Sequence, residues 1–533
     1  IPAESTSAAT LSAVEQYCKT MGKVVIVCKD RPSFVVNRFF VPWLNEACLL
    51  LDEGVGTMAQ IDAVARDAFR IGLGPFALMN LTGPTIALHA TDYLAEQLDT
   101  VRYTGAASLR ELVSSGEMWQ IGDETESGEE ASRVIRERLL GQVFAVSAQI
   151  VEEDICSKED VDRGAKVGLR WARGPFELAN RLGVDEAVRM AEAYSDLAGF
   201  ELPEWFANLS GPMQFSLVDV VVEGGVATVR LNRPEAMNAL NETLVAQLGS
   251  ALDELNARED VSTIILEGAG KAFVAGADVK FFVDKIRADA ISDIYDFTAF
   301  GHEVLGKLEN SDKITIALTT GLALGGGLEL ALACDYRIGT RRTQFRVPET
   351  SIGIYPGLGG TQRTPRICGI EAARFAILAG NFLDAGSAAA LGLLTHLVEA
   401  SDVASTVDEL VESGKPTDKY PAAPADSTHP TTAFALAFYS NENMATLAAG
   451  ECPEGFDAAD KMVSRQLKSL SQTAPIALAL ASELLDGAVE TGDDLDAGLA
   501  LELAGLTELF GTADALEGLS ALIESRRPTY QNA

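Results

Sequence analysis

The chain has 533 residues, of which 47% are hydrophobic and 22% charged, a composition typical of packed globular proteins. At this length, two or three domains are expected instead of one compact core. The 42 Lys and Arg residues and 77 Asp and Glu residues give a formal net charge of −35, which argues against nucleic acids and anionic membrane surfaces as main partners.

The remaining composition argues against several further classes of protein. Seven cysteines are scattered without a CxxC pair, which predicts a reduced, cytoplasmic chain. The four histidines show neither HxxxH nor HExxH spacing, so no metal site is expected. No apolar run reaches the length of a membrane span. The opening IPAESTSAAT resembles no signal peptide and lacks an initiator Met, so we expect a chain that begins partway through a longer polypeptide.

An internal repeat occupies the first part of the chain. IDAVARDAFRIGLGPFALMNLTG, from Ile61, aligns without gaps on VDRGAKVGLRWARGPFELANRLG, from Val161. The stretches upstream of both copies have apolar residues at three and four spacing, which predicts amphipathic helices. We therefore predict two related helical units, residues 1–105 and 106–212. The repeated Gly-Pro-Phe is interpreted as a helix boundary in preference to a ligand site.

The pattern changes near Phe215. SLVDVVVEGGVATVRLNRP alternates apolar and polar residues around two glycines, which predicts a β-hairpin. Helical stretches then alternate with short apolar strands such as STIILEG and KITIALTTG, which is typical of α/β layers. We expect one domain over residues 213–533, with an insertion at about 414–456 whose first part, 414–432, is a loop or linker, and helices from about Ala458 onward.

Two glycine-rich stretches lie in this domain, KAFVAGADVK and GLALGGGLELALACD. Neither fits a phosphate-binding motif. In the second, the strand KITIALTTG is predicted to lead into Gly325-Gly326-Gly327 and a helix to follow, so unpaired backbone N–H groups at the helix start can face a ligand oxygen. Such groups can form an oxyanion hole, although a glycine turn taken alone is more often structural.

Two glutamates accompany these glycine stretches. Glu329 lies in the first turn of an otherwise apolar helix, where an unpaired charge is costly to bury, and Glu349 follows a strand-like run. Either one alone is interpreted as a helix-start or surface acid. As a buried pair beside two glycine loops, they can share a water, one taking its proton while the other protonates carbon, which suits addition of water to a double bond.

Five motifs together carry a family resemblance, namely NRPEAMNALN, KAFVAGADVK, GLALGGGLELALACD, QFRVPETSIGIYPGLGGTQR and ESRRPTYQN. In this order, they make the segment from Phe215 to Glu399, with the tail helices to Ala533, resemble the crotonase superfamily and most closely its enoyl-CoA hydratases. The resemblance implies an α/β fold built as a spiral of ββα turns and assembled as trimers or hexamers. It also implies a coenzyme A thioester substrate and no cofactor for hydration.

The resemblance further implies roles for individual residues. The backbone N–H groups of Ala277 and Gly326 would form the oxyanion hole, and Glu329 and Glu349 would be the catalytic acids. Gly357 would line the acyl pocket. The coenzyme A moiety would be bound by Lys280, near the phosphates, and by Ala236, Met237 and Ala239, around adenine. Glu235 departs from the pattern, because relatives often carry a lysine there.

The helical repeat resembles a second family. KDRPSFVVNRFFVPWLNEA and GLGPFALMNLTG are similar to the C-terminal domain of 3-hydroxyacyl-CoA dehydrogenases, and the doubling resembles fused β-oxidation proteins. In that family an upstream Rossmann domain binds NAD and supplies the catalytic residues, so we expect dehydrogenase activity only together with such a domain. Asn37 would face the thioester; the alternative is a hydrogen-bonding role at a helix N-terminus.

The combined prediction is a multidomain chain, with an all-α dehydrogenase C-terminal-type repeat followed by a crotonase domain with C-terminal helices. It resembles archaeal-type bifunctional 3-hydroxyacyl-CoA dehydrogenase/enoyl-CoA hydratases. The expected reaction is hydration of a short 2-enoyl-CoA. The alternatives are 3-hydroxypropionyl-CoA dehydration or another crotonase reaction. For the helical half, the alternative is a purely assembling or acyl-CoA-docking role.

Overall fold

The computed structural model describes residues 1–98, 100–123 and 128–533. The chain divides into two compact units, Ile1–Phe215 and Ser216–Ala533, and each unit has its own hydrophobic core. None of the helices within the described ranges combines the length and the low charge needed to cross a bilayer.

The first unit is helical. Its core is centred on large buried side chains such as Phe39, Trp43, Phe144 and Phe176. The two upstream stretches predicted as amphipathic helices form α2 and α7. The helices are α1 (Ala8–Thr20), α2 (Val36–Asp52), α3 (Met58–Phe69), α4 (Pro75–Thr82), α5 (Pro84–Leu98), α6 (Ala107–Ser115), α7 (Glu129–Glu152), α8 (Lys158–Arg163), α9 (Pro175–Leu182), α10 (Val184–Ala198) and α11 (Glu204–Ala207).

The repeated Gly-Pro-Phe begins a helix in both copies, as predicted. Pro175 is the first residue of α9, where its missing N–H costs no hydrogen bond. The buried carboxylate of Asp162 accepts hydrogen bonds from the backbone N–H groups of Phe176 and Glu177, both at 2.8 Å. A Cβ at Gly174 would overlap this aspartate. The first copy repeats the arrangement at α4, so the motif is explained by helix capping.

The second unit contains two sheets. The larger has the order β1-β2-β3-β5-β7-β10, and the smaller has the order β4-β6-β8-β9. All pairs are parallel except β1 with β2 and β8 with β9. The strands are β1 (Val218–Glu223), β2 (Val226–Leu231), β3 (Thr263–Gly268), β4 (Ala272–Ala275), β5 (Ile314–Leu318), β6 (Leu322–Leu324), β7 (Tyr336–Gly339), β8 (Gln344–Arg346), β9 (Leu383–Asp384) and β10 (His396–Leu397).

Helices follow successive pairs of strands. β3 and β4, β5 and β6, and β7 and β8 each place one strand in each sheet before the chain turns into a helix, which is the predicted ββα spiral. The helices are α12 (Glu242–Ala257), α13 (Val279–Arg287), α14 (Ile291–Glu309), α15 (Gly326–Leu332), α16 (Gly360–Cys368), α17 (Ile370–Ile377), α18 (Ala385–Ala390), α19 (Val403–Ser413), α20 (Pro430–Phe438), α21 (Met444–Ala448), α22 (Lys461–Leu470), α23 (Pro475–Thr491), α24 (Leu495–Ala504), α25 (Leu506–Phe510) and α26 (Ala513–Ile523).

Two local predictions need correction. KITIALTTG does not lead straight into the three glycines, because β5 ends at Leu318 and the short strand β6 intervenes. The loop predicted over 414–432 ends at 429, because Pro430 starts α20 in the first helical position that proline favours.

Residues 414–426, which we call the strap, pack against the rest of the second unit through polar contacts. Lys419 Nζ donates to the Ala333 carbonyl at 2.7 Å and pairs with Glu309 at 2.9 Å. The Tyr420 hydroxyl also donates to Glu309. The other carboxylate oxygen of Glu309 accepts from Nε of the buried Arg363 at 2.6 Å. The strap therefore contacts the buried ion pair of Glu309 and Arg363 and is held against the domain.

Candidate active site

Glu329 lies in the first turn of α15 and is only 3% exposed. One carboxylate oxygen, Oε1, accepts hydrogen bonds from the backbone N–H groups of Leu358 and Gly360, both at 2.7 Å. These amides belong to residues 356–361, which we call the glycine turn. A Cβ at Gly360 would crowd the glutamate side chain, so the close approach requires glycine there.

Glu349 comes three residues after the end of β8, directly after Pro348, and begins a short 3₁₀-helix. It is 8% exposed, and its Oε2 is buried without a hydrogen-bond partner among the described residues. Gly325, just before α15, has φ +44°, and a Cβ there would overlap Glu349 Oε1. The glycine stretch therefore brings the Glu349 carboxylate against the start of the helix that carries Glu329.

Burial dominates the electrostatics of the two carboxyl groups. It raises the pKa of Glu329 well above its usual range, and the charges of Glu502 and Glu349 add to this effect while the two amides oppose it. Burial likewise raises the pKa of Glu349 to about 7. Glu349 can therefore hold a proton or release it near neutral pH, as acid–base work requires, and burial favours the protonated form of Glu329.

The raised pKa of Glu349 predicts a pH-dependent stability. Because the carboxyl group is neutral in the folded chain up to about pH 7 but ionises from about pH 4.5 in the unfolded chain, its contribution to stability is present at low pH and lost as the pH rises through 7. Glu349→Gln cannot ionise. We expect this variant to gain up to about 3 kcal/mol relative to wild type between about pH 5 and about pH 8. Urea unfolding of both proteins across this range measures the difference, and parallel stability curves would contradict it.

Two backbone amides lie together beside the carboxylates. Ala277 follows β4 and pairs with Leu240, whose carbonyl accepts from the Asp278 N–H at 2.8 Å. A Cβ on Gly326, the first residue of α15, would lie 3.8 Å from the Ala277 nitrogen. Within the described ranges, neither the Ala277 nor the Gly326 N–H donates a hydrogen bond. The structure thus brings together two unpaired donors, which suits stabilisation of an oxyanion.

The residues predicted to surround adenine form one loop. Ala236 ends a 3₁₀-turn, and Met237 and Asn238 both have positive φ. The buried Asn238 amide fastens this loop by donating to the Ala269, Ala272 and Phe273 carbonyls at 2.9–3.0 Å. Met237 and Ala239 thereby flank the buried asparagine, and the Met237 carbonyl accepts from the Ala275 N–H at 3.0 Å, in the segment that carries Ala277.

The other predicted residues occupy different positions. Lys280 lies in the first turn of α13, largely exposed, and pairs with Asp284. Gly357 belongs to the glycine turn, and its carbonyl accepts from His302 Nε2 at 2.7 Å. Asn37, the second residue of α2, is exposed on the first unit.

Sequence reasoning missed a third buried carboxylate, Glu502 on α24, which is fully buried against the other side of the glycine turn. The signal that singled out Glu329, an acid flanked by apolar residues in a helix, was also present in GLALELAG. His302 was missed as well, because it lies in none of the motifs and only the fold places it against the glycine turn.

Family models match both units. The enoyl-CoA hydratase/isomerase model matches residues 226–533. The model of the 3-hydroxyacyl-CoA dehydrogenase C-terminal domain matches residues 34–126 and 135–209, so each half of the helical unit is covered.

Curated relatives align with the second unit. The short-chain-enoyl-CoA hydratase of Clostridium acetobutylicum is 30% identical over 316 residues, which cover 59% of this chain and 97% of the relative. The crotonyl-CoA hydratase of Syntrophomonas wolfei is 35% identical over 199 residues, 37% of this chain and 75% of the relative.

Solved structures share the fold of the same part of the chain. An enoyl-CoA hydratase from Rhodobacter sphaeroides superposes with a TM-score of 0.51 at 25% identity, covering 59% of this chain and 92% of that one. A carnitinyl-CoA dehydratase from Mycobacterium thermoresistibile gives the same TM-score and coverage at 23% identity.

Proposed function

The chain belongs to the enoyl-CoA hydratase/isomerase family, and we propose that it catalyses the reversible addition of water to short-chain 2-enoyl-CoA, such as crotonyl-CoA, giving the (S)-3-hydroxyacyl-CoA. The observation that carries this proposal is the pair of buried carboxylates, Glu329 and Glu349, beside the amides of Ala277 and Gly326, which donate to no other group in the described part of the chain. The names of relatives in two bacteria support the substrate class.

The amides serve the carbonyl end of the substrate. Attack of water at C3 of an α,β-unsaturated thioester moves negative charge onto the carbonyl oxygen. The N–H groups of Ala277 and Gly326 stabilise this enolate-like oxygen, and loss of one such donor typically costs about 10²–10³ in rate.

The carboxyl groups serve the proton transfers. One of Glu329 and Glu349 accepts a proton as water forms its bond to C3, and the other delivers a proton to C2. The total charge of the pair is therefore unchanged, and transfer of one proton between the two groups restores their starting protonation states. Glu349 Oε2, which has no hydrogen-bond partner among the described residues, and the raised pKa of both groups support this role. Having both acids favours hydration over isomerisation, which needs only one.

Binding roles are proposed for the remaining residues. Ala236, Met237 and Ala239 enclose adenine, Lys280 contacts the coenzyme A phosphates, and Gly357 lines the acyl pocket. In the first unit, Asn37 contacts an acyl thioester, which is a role separate from hydration.

A panel of enoyl-CoA thioesters of increasing chain length tests the function. We expect loss of the ultraviolet absorbance of the conjugated thioester, with kcat/KM greatest for crotonyl-CoA. A higher kcat/KM for long chains would overturn the short-chain assignment, and no absorbance change with any member would overturn hydration.

The second unit alone should carry the activity. It has its own core, and a hydratase aligned over 97% of its length needs only 59% of this chain. We expect residues 216–533, expressed alone, to hydrate crotonyl-CoA with kcat/KM within about threefold of the full chain. This factor corresponds to less than about 1 kcal/mol of transition-state stabilisation. Size-exclusion chromatography with light scattering shows whether both proteins form the proposed trimer or hexamer. A folded 216–533 without activity would contradict this prediction and assign the helical unit a part in hydration.

A further inference from the structure

The glycine turn is held by two glutamates that divide its donors between them. The N–H groups of Leu358 and Gly360 point to Glu329, both at 2.7 Å. The N–H of Gly359 points to Glu502 Oε1 at 2.5 Å, and the Thr361 hydroxyl donates to Glu502 Oε2. Donors thus alternate along the turn between the proposed catalytic acid and a carboxylate behind it.

Glu502 is itself firmly placed. It lies in α24 with no exposed surface, and its backbone carbonyl accepts from the Tyr355 hydroxyl at 2.6 Å. Tyr355 directly precedes the glycine turn, so α24 is fastened to the turn through both the backbone and the side chain of one residue. A buried carboxylate with donors on both oxygens is a satisfied acceptor and holds their geometry.

His302 on α14 closes the same network. Its Nε2 lies 2.7 Å from the Gly357 carbonyl oxygen and 3.3 Å from Glu502 Oε1. Both neighbours are acceptors, so Nε2 carries the proton and donates. The imidazole therefore links Glu502 to the residue at the start of the turn.

We propose that Glu502 is a positioning residue for the proposed hydration, holding the glycine turn so that the amides of Leu358 and Gly360 stay aimed at Glu329. The proposal rests on the proposed function for its kinetic consequences. Its structural consequence, a turn ordered by Glu502, stands apart from any activity.

Two physical effects follow from this arrangement. Without Glu502, the Gly359 N–H and the Thr361 hydroxyl would be buried without acceptors, and the turn would move to satisfy them. Glu502 also places negative charge near Glu329 and Glu349, which raises the pKa of both. The titratable and charged groups that face Glu502 from the surrounding elements are His302, Glu329, Glu349, Tyr355 and Arg363.

Three variants of the full chain separate these effects. Glu502→Ala removes both acceptors. Glu502→Gln keeps the size and an acceptor oxygen but removes the charge. Glu490→Gln is the matched control, because Glu490 is an exposed acid on the neighbouring α23.

Hydrogen exchange followed by mass spectrometry tests the turn directly. In Glu502→Ala we expect faster exchange in peptides covering the glycine turn, with unchanged exchange in the β-strands, while Glu490→Gln matches wild type. Unchanged exchange at the turn, or a uniform rise over the whole second unit, would overturn the positioning role. This measurement holds whether or not the chain hydrates crotonyl-CoA.

Kinetics with crotonyl-CoA test the consequence for catalysis. We expect Glu502→Ala to lower kcat about 10²-fold, as a misplaced catalytic group does, with KM within about threefold of wild type. Glu502→Gln should keep kcat within about tenfold and move the acidic limb of its pH profile to lower pH, because the nearby negative charge is gone. A role in folding alone would lower the amount of active protein without moving this limb.

The outcomes of these experiments separate a failure of the proposed function from a failure of the positioning role. A wild-type chain without hydratase activity would overturn the proposed function and leave the exchange measurement to decide the role of Glu502. An active wild type whose folded Glu502→Ala variant keeps the wild-type kcat would overturn the positioning inference, and a Glu502→Gln pH profile superimposed on that of wild type would overturn the charge effect. If Glu502→Ala fails to fold, the exchange and pH profile of Glu502→Gln decide in its place.

Discussion

Glu329→Gln and Glu349→Gln are each expected to lower kcat for crotonyl-CoA hydration by about 10²–10⁴, the usual contribution of a positioned acid or base. Each amide keeps the shape of the glutamate but cannot exchange a proton. Because the substrate is bound mainly by other groups, KM should change little. Initial rates of absorbance loss with purified variants give both constants.

The double variant and a surface control sharpen this test. Residues that act as a unit are not additive, so Glu329→Gln with Glu349→Gln should be little slower than the slower single variant. Glu490→Gln should match wild type, because this acid is exposed. A double variant with the wild-type rate would exclude both glutamates from the chemistry.

Glu309→Leu is expected to lower the free energy of unfolding by about 3–5 kcal/mol, the usual cost of removing one partner of a buried ion pair. Arg363 is 1% exposed and donates to Glu309 and to the Leu358 carbonyl of the glycine turn, at 2.6 and 2.9 Å. Without Glu309, its charge and that of Lys419 lose their buried partner. Urea unfolding measures the loss.

The same helix supplies a control for this variant. Glu303→Leu changes an exposed acid of α14 and should stay within about 0.5 kcal/mol of wild type. Adding Arg363→Met to Glu309→Leu should recover part of the stability, because the Arg363 charge is then no longer buried without its partner, while Lys419 still lacks Glu309. A single variant as stable as wild type would show that the strap and Arg363 do not depend on this pair.

Much of the fold could be predicted from local sequence. The hairpin at Gly224-Gly225, helix α12 and the paired helical repeat all follow from residue periodicity and turn chemistry. The family models and solved structures confirm the predicted fold class, a helical dehydrogenase C-terminal-type domain followed by an α/β crotonase domain.

The candidate site was predictable where its residues lie inside contiguous motifs. Ala277, Gly326 and Glu329 sit in the two glycine-rich stretches and Glu349 in the motif QFRVPETSIGIYPGLGGTQR, and the structure brings them together; their roles remain predictions. Glu502 and His302 contact the turn from 143 and 55 residues away in sequence, so no local pattern places them. The packing of the strap could not be predicted for the same reason, since only the fold shows Lys419 beside Glu309.

Hydration of crotonyl-CoA in water enriched in oxygen-18, followed by mass spectrometry of the products, tests the central claim most directly. If water adds at C3, the full chain yields 3-hydroxybutyryl-CoA that carries one heavy oxygen in its hydroxyl group and an intact thioester. Unlabelled isomerised enoyl-CoA, free coenzyme A from thioester hydrolysis, or unchanged substrate would contradict it.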